Sequence, residues 1–139
     1  MVLMLGLKVI NNMNNFRFQN IALKTLINLN QRWRFVAVLI SAGKPLAVST
    51  NDLKKTSPFA DKQSPYRRLH AEMRCLKKAS PDKISGSTMY VWRLRNDNDQ
   101  WGMAKPCLMC QEELLKAEVK KVFYSTENGV RLLVLKNLE

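Results

Sequence analysis

The two cysteines of Pro106-Cys107-Leu108-Met109-Cys110 constrain the fold more than any other stretch of the sequence. Their C-x-x-C spacing at the predicted start of a helix places both thiols on one side, where the helix dipole and backbone N–H groups stabilise thiolates. The single histidine of the chain, His70, is followed two residues later by Glu72. A fold that brings the two segments together creates a site with two thiolates, an imidazole and a carboxylate.

Thiolates together with an imidazole are ligands that zinc prefers. The sequence therefore predicts a Zn²⁺ ion held by His70, Cys107 and Cys110. Three protein ligands leave the fourth tetrahedral position open, which is typical of a catalytic rather than a structural zinc site. Near the start of a helix, Glu72 can approach that position without binding the metal, and so can transfer protons during catalysis.

Each motif alone also has other interpretations. A C-x-x-C pair occurs in structural zinc sites and in redox proteins, and a single histidine is commonly a surface or core residue. The remaining cysteine, Cys75, lies one helical turn after Glu72 and is interpreted as part of the core, because free cysteines are often buried. Since Cys75 is the only spare thiol, a structural zinc site without catalysis is the less favoured alternative.

Hydrophobic periodicity predicts helices and strands in alternation. Helical patterns cover residues 16–29, 66–79 and 107–117. Strand patterns cover residues 32–40, 45–50, 88–94, 119–125 and 130–135, whereas 51–65 contains two Ser-Pro pairs and is expected to be an exposed loop. We therefore predict an α/β fold, a three-layer domain with a five-stranded mixed sheet and helices on both faces. Glu127-Asn128-Gly129 predicts that the last two strands form an antiparallel hairpin.

The length of 139 residues suits one compact domain. We expect a single domain over residues 1–139, with a core from about 16 to 136 and a leader or first strand over 1–15. The apolar start is shorter than the roughly 20 residues of a membrane-spanning helix and lacks a signal-peptide cleavage site. Three cysteines do not make a disulfide framework, so a reducing, cytoplasmic location is predicted.

Net charge is the unusual property of the composition. The chain carries 23 lysines and arginines against 11 acidic residues, a formal charge of +12, and its first 51 residues contain six basic and no acidic side chains. Such a field attracts polyanions or phosphorylated small molecules, although it can also serve solubility alone. Charge therefore favours a nucleotide or a single-stranded nucleic acid as the partner.

With these motifs the chain resembles the cytidine and deoxycytidylate deaminase superfamily over about Arg32 to Leu135. The resemblance rests on His70-Ala71-Glu72, on the segment from Lys105 to Cys110, and on the order of strands and helices around them. It implies a hydrolase that replaces the exocyclic amine of a nucleobase with oxygen and releases ammonia. The terminal hairpin is similar to that of the free cytidine deaminases, but Asn51-Asp52-Leu53 stands in place of their Asn-x-Glu ribose-binding pattern, which counts against a free nucleoside.

The resemblance also implies substrate contacts. Asn51 would be the asparagine that contacts the substrate, and the backbone at Ala71 and Cys107 would help to hold the base. Lys105, directly before the proline of the second motif, is a further candidate. Aromatic residues in the loops predicted beside the site offer rings on which a base can stack, namely Phe59, Tyr66 and Trp101.

The main functional prediction is a zinc-dependent deaminase that converts cytosine to uracil in a nucleotide or a single-stranded nucleic acid. The alternative is a deaminase of free cytidine, deoxycytidine or dCMP. Deamination of adenine or guanine, and a non-catalytic binding module stabilised by zinc, are less favoured. No membrane partner is expected, and a homo-oligomer is compatible with the sequence.

Overall fold

The computed structural model describes the backbone of residues 3–4, 7–8, 13–56 and 68–135, and the side chains of 18–52 and 70–135. The strands are β1 (Leu3–Met4), β2 (Leu7–Lys8), β3 (Arg34–Ser41), β4 (Lys44–Thr50), β5 (Asp52–Thr56), β6 (Arg68–Leu69), β7 (Thr88–Leu94), β8 (Trp101–Gly102), β9 (Lys121–Thr126) and β10 (Gly129–Val134). The helices are α1 (Met13–Leu26), α2 (Ala71–Lys78), α3 (Pro81–Ile84) and α4 (Leu108–Lys116). None of the helices described is long and apolar enough to cross a membrane.

The main sheet has the strand order β10-β9-β7-β3-β4, and the short β8 pairs with the end of β7. Strands β7 and β9 are parallel, and all other neighbours in this sheet are antiparallel. A parallel pair needs a crossover connection, which α4 provides. The predicted mixed sheet and its terminal antiparallel hairpin are therefore confirmed.

Two tight turns set the register of the hairpins. Between β3 and β4, Ala42 and Gly43 have φ angles of 52° and 77°, as in the turns whose twist matches that of paired strands. Between β9 and β10, Thr126 pairs with Gly129, so that Glu127 and Asn128 form the loop. The Thr126 hydroxyl closes this turn by donating to the Gly129 carbonyl at 2.7 Å and accepting from the Asn128 N–H at 3.1 Å.

Apolar residues alternate along the strands and form one core on each face of the sheet. On the first face, α1 packs Phe18, Ala22 and Leu26 against residues of β3 and β7 such as Val38 and Trp92. On the second face, which we call the α2/α4 face, the helices bury residues against the opposite side of the same strands, including Met73, Cys75, Cys110 and Leu114. The predicted three-layer α/β architecture follows from these two cores.

The segment before α2 differs from its prediction. A helix was expected from residue 66, but Arg68–Leu69 is extended and pairs with β5, where Asp52 is the partner of Leu69. The helix can begin only at Ala71 because His70 keeps an extended backbone, with φ −74° and ψ 155°, as its N-cap. The loop prediction for residues 51–65 was likewise wrong over β5. Residues 57–67, which include Phe59 and Tyr66, lie outside the described residues.

Arg34 is a buried cation that ties three parts of the fold together. Its side chain is 6% exposed and donates hydrogen bonds to the carbonyl of Leu26 at 3.3 Å and that of Arg95 at 2.8 Å. It also pairs with the Asp99 carboxylate at 2.5 Å, although the Asp99 side chain is 59% exposed. The end of α1 and the loop after β7 are thereby joined to the start of β3.

We expect Arg34→Met to lower the free energy of unfolding by about 2 kcal/mol, because it leaves buried carbonyl groups without their charged donor. Asp99→Asn is the matched control. It removes only the exposed partner and should cost less than about 1 kcal/mol. Urea unfolding followed by circular dichroism measures both values, and equal losses would contradict the role given to the carbonyl contacts.

Candidate active site

Two helix N-termini meet at one edge of the main sheet. His70 is the N-cap of α2, and Cys107 is the N-cap of α4, with Cys110 in the first turn that follows. The segment that leads to α4 lies at the carboxyl end of β9, because the Ala104 N–H donates to the Ser125 carbonyl at 2.9 Å, and β9 is parallel to β7. Functional sites of α/β folds commonly occupy this edge.

The three predicted zinc ligands lie together. The ligand atoms of His70, Cys107 and Cys110 are all within 4.8 Å of one another. The histidine Nδ1 is 3.2 Å from the Cys110 sulfur and 3.7 Å from the Cys107 sulfur. Tetrahedral zinc bonds of about 2.1 Å to nitrogen and about 2.3 Å to sulfur require a separation near 3.6 Å between such atoms. The donor set and its spacing therefore fit Zn²⁺, with Nδ1 as the nitrogen directed at the metal.

Cys75 does not belong to this cluster. Its sulfur donates to the carbonyl of Ala37 at 3.0 Å and lies 3.6 Å from that of Ala47, within the core of the α2/α4 face. Burial raises the pKa of its thiol to about 12. The prediction that Cys75 is a core residue is confirmed, and no fourth metal donor joins the cluster among the described residues.

In the absence of a metal, hydrogen bonds within the cluster favour the thiolate form of Cys107 and the thiol form of Cys110. The Cys107 pKa falls to about 4, mainly because the Cys110 thiol donates a hydrogen bond to it and also because His70 does so. The same bond to Cys107 is the main cause that raises the pKa of His70. Cys110 retains its proton, because its hydrogen bond to Cys107 raises its pKa. Because zinc binds the thiolate form of cysteine, metal binding displaces the proton that Cys110 carries.

Glu72 lies in the first turn of α2 and is only 5% exposed. Burial raises the pKa of its carboxyl group, while the nearby His70 opposes that shift. A carboxyl group whose pKa is raised by burial holds a proton more readily than an exposed one, which suits a group that accepts and returns a proton. Its position two residues beyond a metal donor, inside the site, is the one that the sequence predicts for a proton shuttle.

Asn51 lies next to the cluster and is held firmly. It precedes Asp52, the pairing partner of Leu69, and is therefore close to His70. Its side-chain oxygen accepts from the Gln31 amide at 2.7 Å and from the Phe35 N–H at 3.1 Å. Its side-chain nitrogen donates to the Trp33 carbonyl at 3.0 Å. The amide predicted to contact substrate thus also fixes the segment between α1 and β3.

The other residues predicted to contact the substrate lie in different parts of the structure. Ala71 is the first residue of α2 and fully buried, and Lys105 is exposed in the segment that leads to Cys107. Trp101 instead pairs with Leu94 and packs against the core under α1, so the structure does not bring its ring to the metal donors. The reason is strand alternation, because β8 turns Trp101 toward the face opposite α2 and α4.

Sequence reasoning missed an aromatic residue that does lie beside the site. Trp33 is 43% exposed, and the guanidinium groups of Arg93 and Arg32 lie 5.0 Å and 5.6 Å from its ring centroid. Its carbonyl also accepts from the Gln31 amide at 2.7 Å. No local pattern marks Trp33, because two of its contacts, with Arg93 of β7 and with Asn51 after β4, come from residues that are distant in sequence.

An open cavity of about 270 Å³ lies at the β9–β10 turn. It is lined by Met103, Thr126, Glu127, Asn128 and Arg131. The turn follows the carboxyl end of β9, and so occupies the same edge of the sheet as the metal donors. The residues that line this cavity do not include the metal donors or Glu72.

Comparisons with known proteins agree with this geometry. A family model described as the cytidine and deoxycytidylate deaminase zinc-binding region matches residues 15–126. A dCMP deaminase from the cyanophage S-TIM5 in apo form is 25% identical with a TM-score of 0.52, over 79% of this chain and 83% of that chain. The structure of a dCMP deaminase from the same cyanophage in complex with dCMP and dUMP is 23% identical with a TM-score of 0.49, over 78% of this chain and 80% of that chain. RibD of Acinetobacter baumannii, form 2, is 18% identical with a TM-score of 0.48, over 81% of this chain and 28% of that chain. No curated protein matches the chain.

We expect Cys107→Ala to reduce bound zinc from about one ion per chain to about a tenth or less, because two donors cannot hold the metal tightly. The variant should also unfold at a lower temperature. Cys75→Ala is the matched cysteine control and should keep its zinc. Atomic emission after gel filtration measures the metal, and full zinc content in Cys107→Ala would contradict the assignment.

Proposed function

Because the chain belongs to the cytidine and deoxycytidylate deaminase family, we propose that it converts cytosine to uracil in a nucleotide or a single-stranded nucleic acid. The observation that carries the proposal is the cluster of three zinc donors with the buried Glu72 two residues from one of them. Three donors suit a catalytic metal, and the carboxyl group supplies the proton transfer that hydrolysis needs.

The reaction consumes one water molecule for each base. The water oxygen forms a bond to C4 of the cytosine ring, the bond from C4 to the exocyclic nitrogen breaks, and uracil and ammonia result. A zinc ion at this centre supplies Lewis acidity, which makes water a nucleophile near neutral pH. The donors His70, Cys107 and Cys110 hold that ion in place.

Glu72 moves the protons in this proposal. Its carboxylate takes a proton from the attacking water and passes it to the ring nitrogen, and a second transfer allows the amine to leave as ammonia. Burial favours the protonated form of the carboxyl group and so suits the step in which it donates. Its place in the first turn of a helix keeps the side chain within the site.

In this proposal, the substrate is held by backbone groups at the starts of α2 and α4 and by side chains at the same edge of the sheet. The N–H of Ala71, in the first turn of α2, has no acceptor within the helix and can donate to the base. The backbone at Cys107 borders the same opening, and Asn51 contacts the sugar side of the substrate. Lys105 contributes positive charge at the entrance, and we extend the proposal to Phe59 and Tyr66, which lie outside the described residues.

A phosphorylated substrate is favoured by the charge of the chain. The formal charge of +12 concentrates polyanions and phosphate esters near the surface. The second candidate is a free nucleoside or dCMP, and the likeness to the dCMP deaminase of 25% identity favours dCMP among these. We also propose one deaminase domain without a membrane partner, in the cytoplasm, where reducing conditions keep thiol ligands free.

We expect Glu72→Gln to lower kcat on the best cytosine substrate at least about a hundredfold, because the amide cannot shuttle protons. Zinc content and thermal stability should stay near those of the parent chain, since no metal donor changes. Ammonia release and atomic emission on the same preparation measure both quantities. Undiminished turnover would remove Glu72 from the mechanism.

Salt separates the two substrate classes. We expect kcat/KM on single-stranded DNA or RNA that contains cytosine to fall steeply between 50 and 200 mM salt, with a slope of about −0.7 per phosphate contact on a logarithmic plot. Turnover of deoxycytidine should change little over the same range. Equal salt dependence for both substrates would argue for the free nucleoside instead.

A further inference from the structure

Arg93 is a half-buried cation on the α2/α4 face of the sheet. It pairs with Phe35, which packs against that core, and its guanidinium lies 5.9 Å from the Phe35 ring. Gly102 stands opposite Arg93 in β8. A Cβ atom there would be 2.8 Å from Arg95 Cγ, so the glycine leaves room for the Arg95 stem, whereas Arg93 Cδ at 3.5 Å would be in ordinary contact.

The acidic side chains near the end of β7 are used by other arginines. Asp99 pairs with Arg34 at 2.5 Å, and Asp97 and Glu127 each pair with Arg95 at 2.6 Å. Within the described part of the chain, no acidic side chain forms an ion pair with Arg93, although the charge of the nearby Asp97 acts on it, and its guanidinium lies against the rings of Trp33 and Phe35. A half-buried arginine outside any ion pair keeps its donors available for an anion, and their planar arrangement suits two oxygens of a phosphate.

A second arginine shares the same ring. The Arg32 guanidinium is 5.6 Å from the centroid of Trp33, and that of Arg93 is 5.0 Å away. Cation–π contact holds a guanidinium in place without neutralising its charge. The Trp33 ring therefore keeps two cations, neither of them in an ion pair among the described residues, close together at the surface.

This group lies where β3 starts beside the carboxyl end of β7, the end of the sheet that carries the metal donors. Gln31 and Asn51 both hydrogen-bond the Trp33 carbonyl, at 2.7 Å and 3.0 Å. Asn51 is buried and precedes Asp52, the pairing partner of the residue before His70. A ligand with its base at the zinc centre thus has this pair of cations along the β3 side of the opening.

We propose that Arg32, Trp33 and Arg93 form a phosphate-binding site, which binds the phosphate group attached to the nucleotide whose base enters the zinc centre. The inference rests on the proposed function, because it assigns a substrate contact to that same site. The shared ligand chemistry is a phosphate ester, supplied either by a 5′-monophosphate or by a phosphodiester of a single strand. Arg93 is the main donor, and Arg32 adds a second, more exposed one.

The test compares the parent chain with Arg93→Gln, and uses Lys121→Gln as a control that removes the same charge at the opposite edge of the sheet. The zinc-loaded proteins are assayed on deoxycytidine, on dCMP, and on a trinucleotide with a central deoxycytidine and no terminal phosphate. Arg93→Gln should lower kcat/KM ten- to hundredfold on a phosphorylated substrate, and less than about threefold on deoxycytidine. Lys121→Gln should change all three values less than about twofold.

The three substrates also identify the source of the phosphate. A loss confined to dCMP assigns the site to a 5′-monophosphate, and a loss on the trinucleotide assigns it to a strand. An equal loss on deoxycytidine would overturn the inference and leave Arg93 with a structural role. Calorimetric binding to Glu72→Gln, with and without Arg93→Gln, separates this result from failure of the proposed function. If the parent chain deaminates none of the substrates, tenfold weaker binding of dCMP or the trinucleotide alone still supports the site, and unchanged or absent binding overturns it.

Discussion

The structure depends on the meeting of two helix N-termini at the carboxyl edge of a parallel strand pair. The thiolate of Cys107 is stabilised mainly by hydrogen bonds from the Cys110 thiol and from His70, and also by the backbone N–H of Cys110 at the start of α4. The sheet fixes the relative position of the two helices, because α2 and α4 pack on one face. The metal then joins two segments that are distant in sequence, and so couples the chemistry of the site to the stability of the fold.

Around this centre, the arginines fall into two sets, those that form ion pairs and those that do not. Arg34 and Arg95 hold their loops through ion pairs with acidic side chains, and Arg34 also binds carbonyl oxygens, whereas Arg93 lies against aromatic rings and forms no ion pair among the described residues. Asn51 connects the two sets, because its amide orients the Trp33 backbone while its main chain borders His70. The net charge of the chain does not reveal this division, since arginines inside and outside ion pairs count equally in the total.

The sequence allows a reliable prediction of relative position for residues that lie close together in the chain. Helix geometry fixes the relation of Cys107 to Cys110 and of His70 to Glu72, and the alternation of strands and helices predicts the mixed sheet. Long-range register is not encoded in such patterns. The helix predicted from residue 66 starts later because β6 pairs with β5, and the face of Trp101 depends on a two-residue strand. The contact of Arg93 with the Trp33 ring joins separate strands and has no local signature.

The pairing of β5 with β6 joins the two ends of the segment between them. Thr56 and Arg68 are partners across this short ladder, so the chain enters and leaves residues 57–67 at a paired position close to the metal donor His70. A segment anchored in this way can change in length or sequence without displacing the donor. The deaminase centre can therefore serve as a constant module, onto which loops from relatives with other substrates could be grafted between the same two anchors.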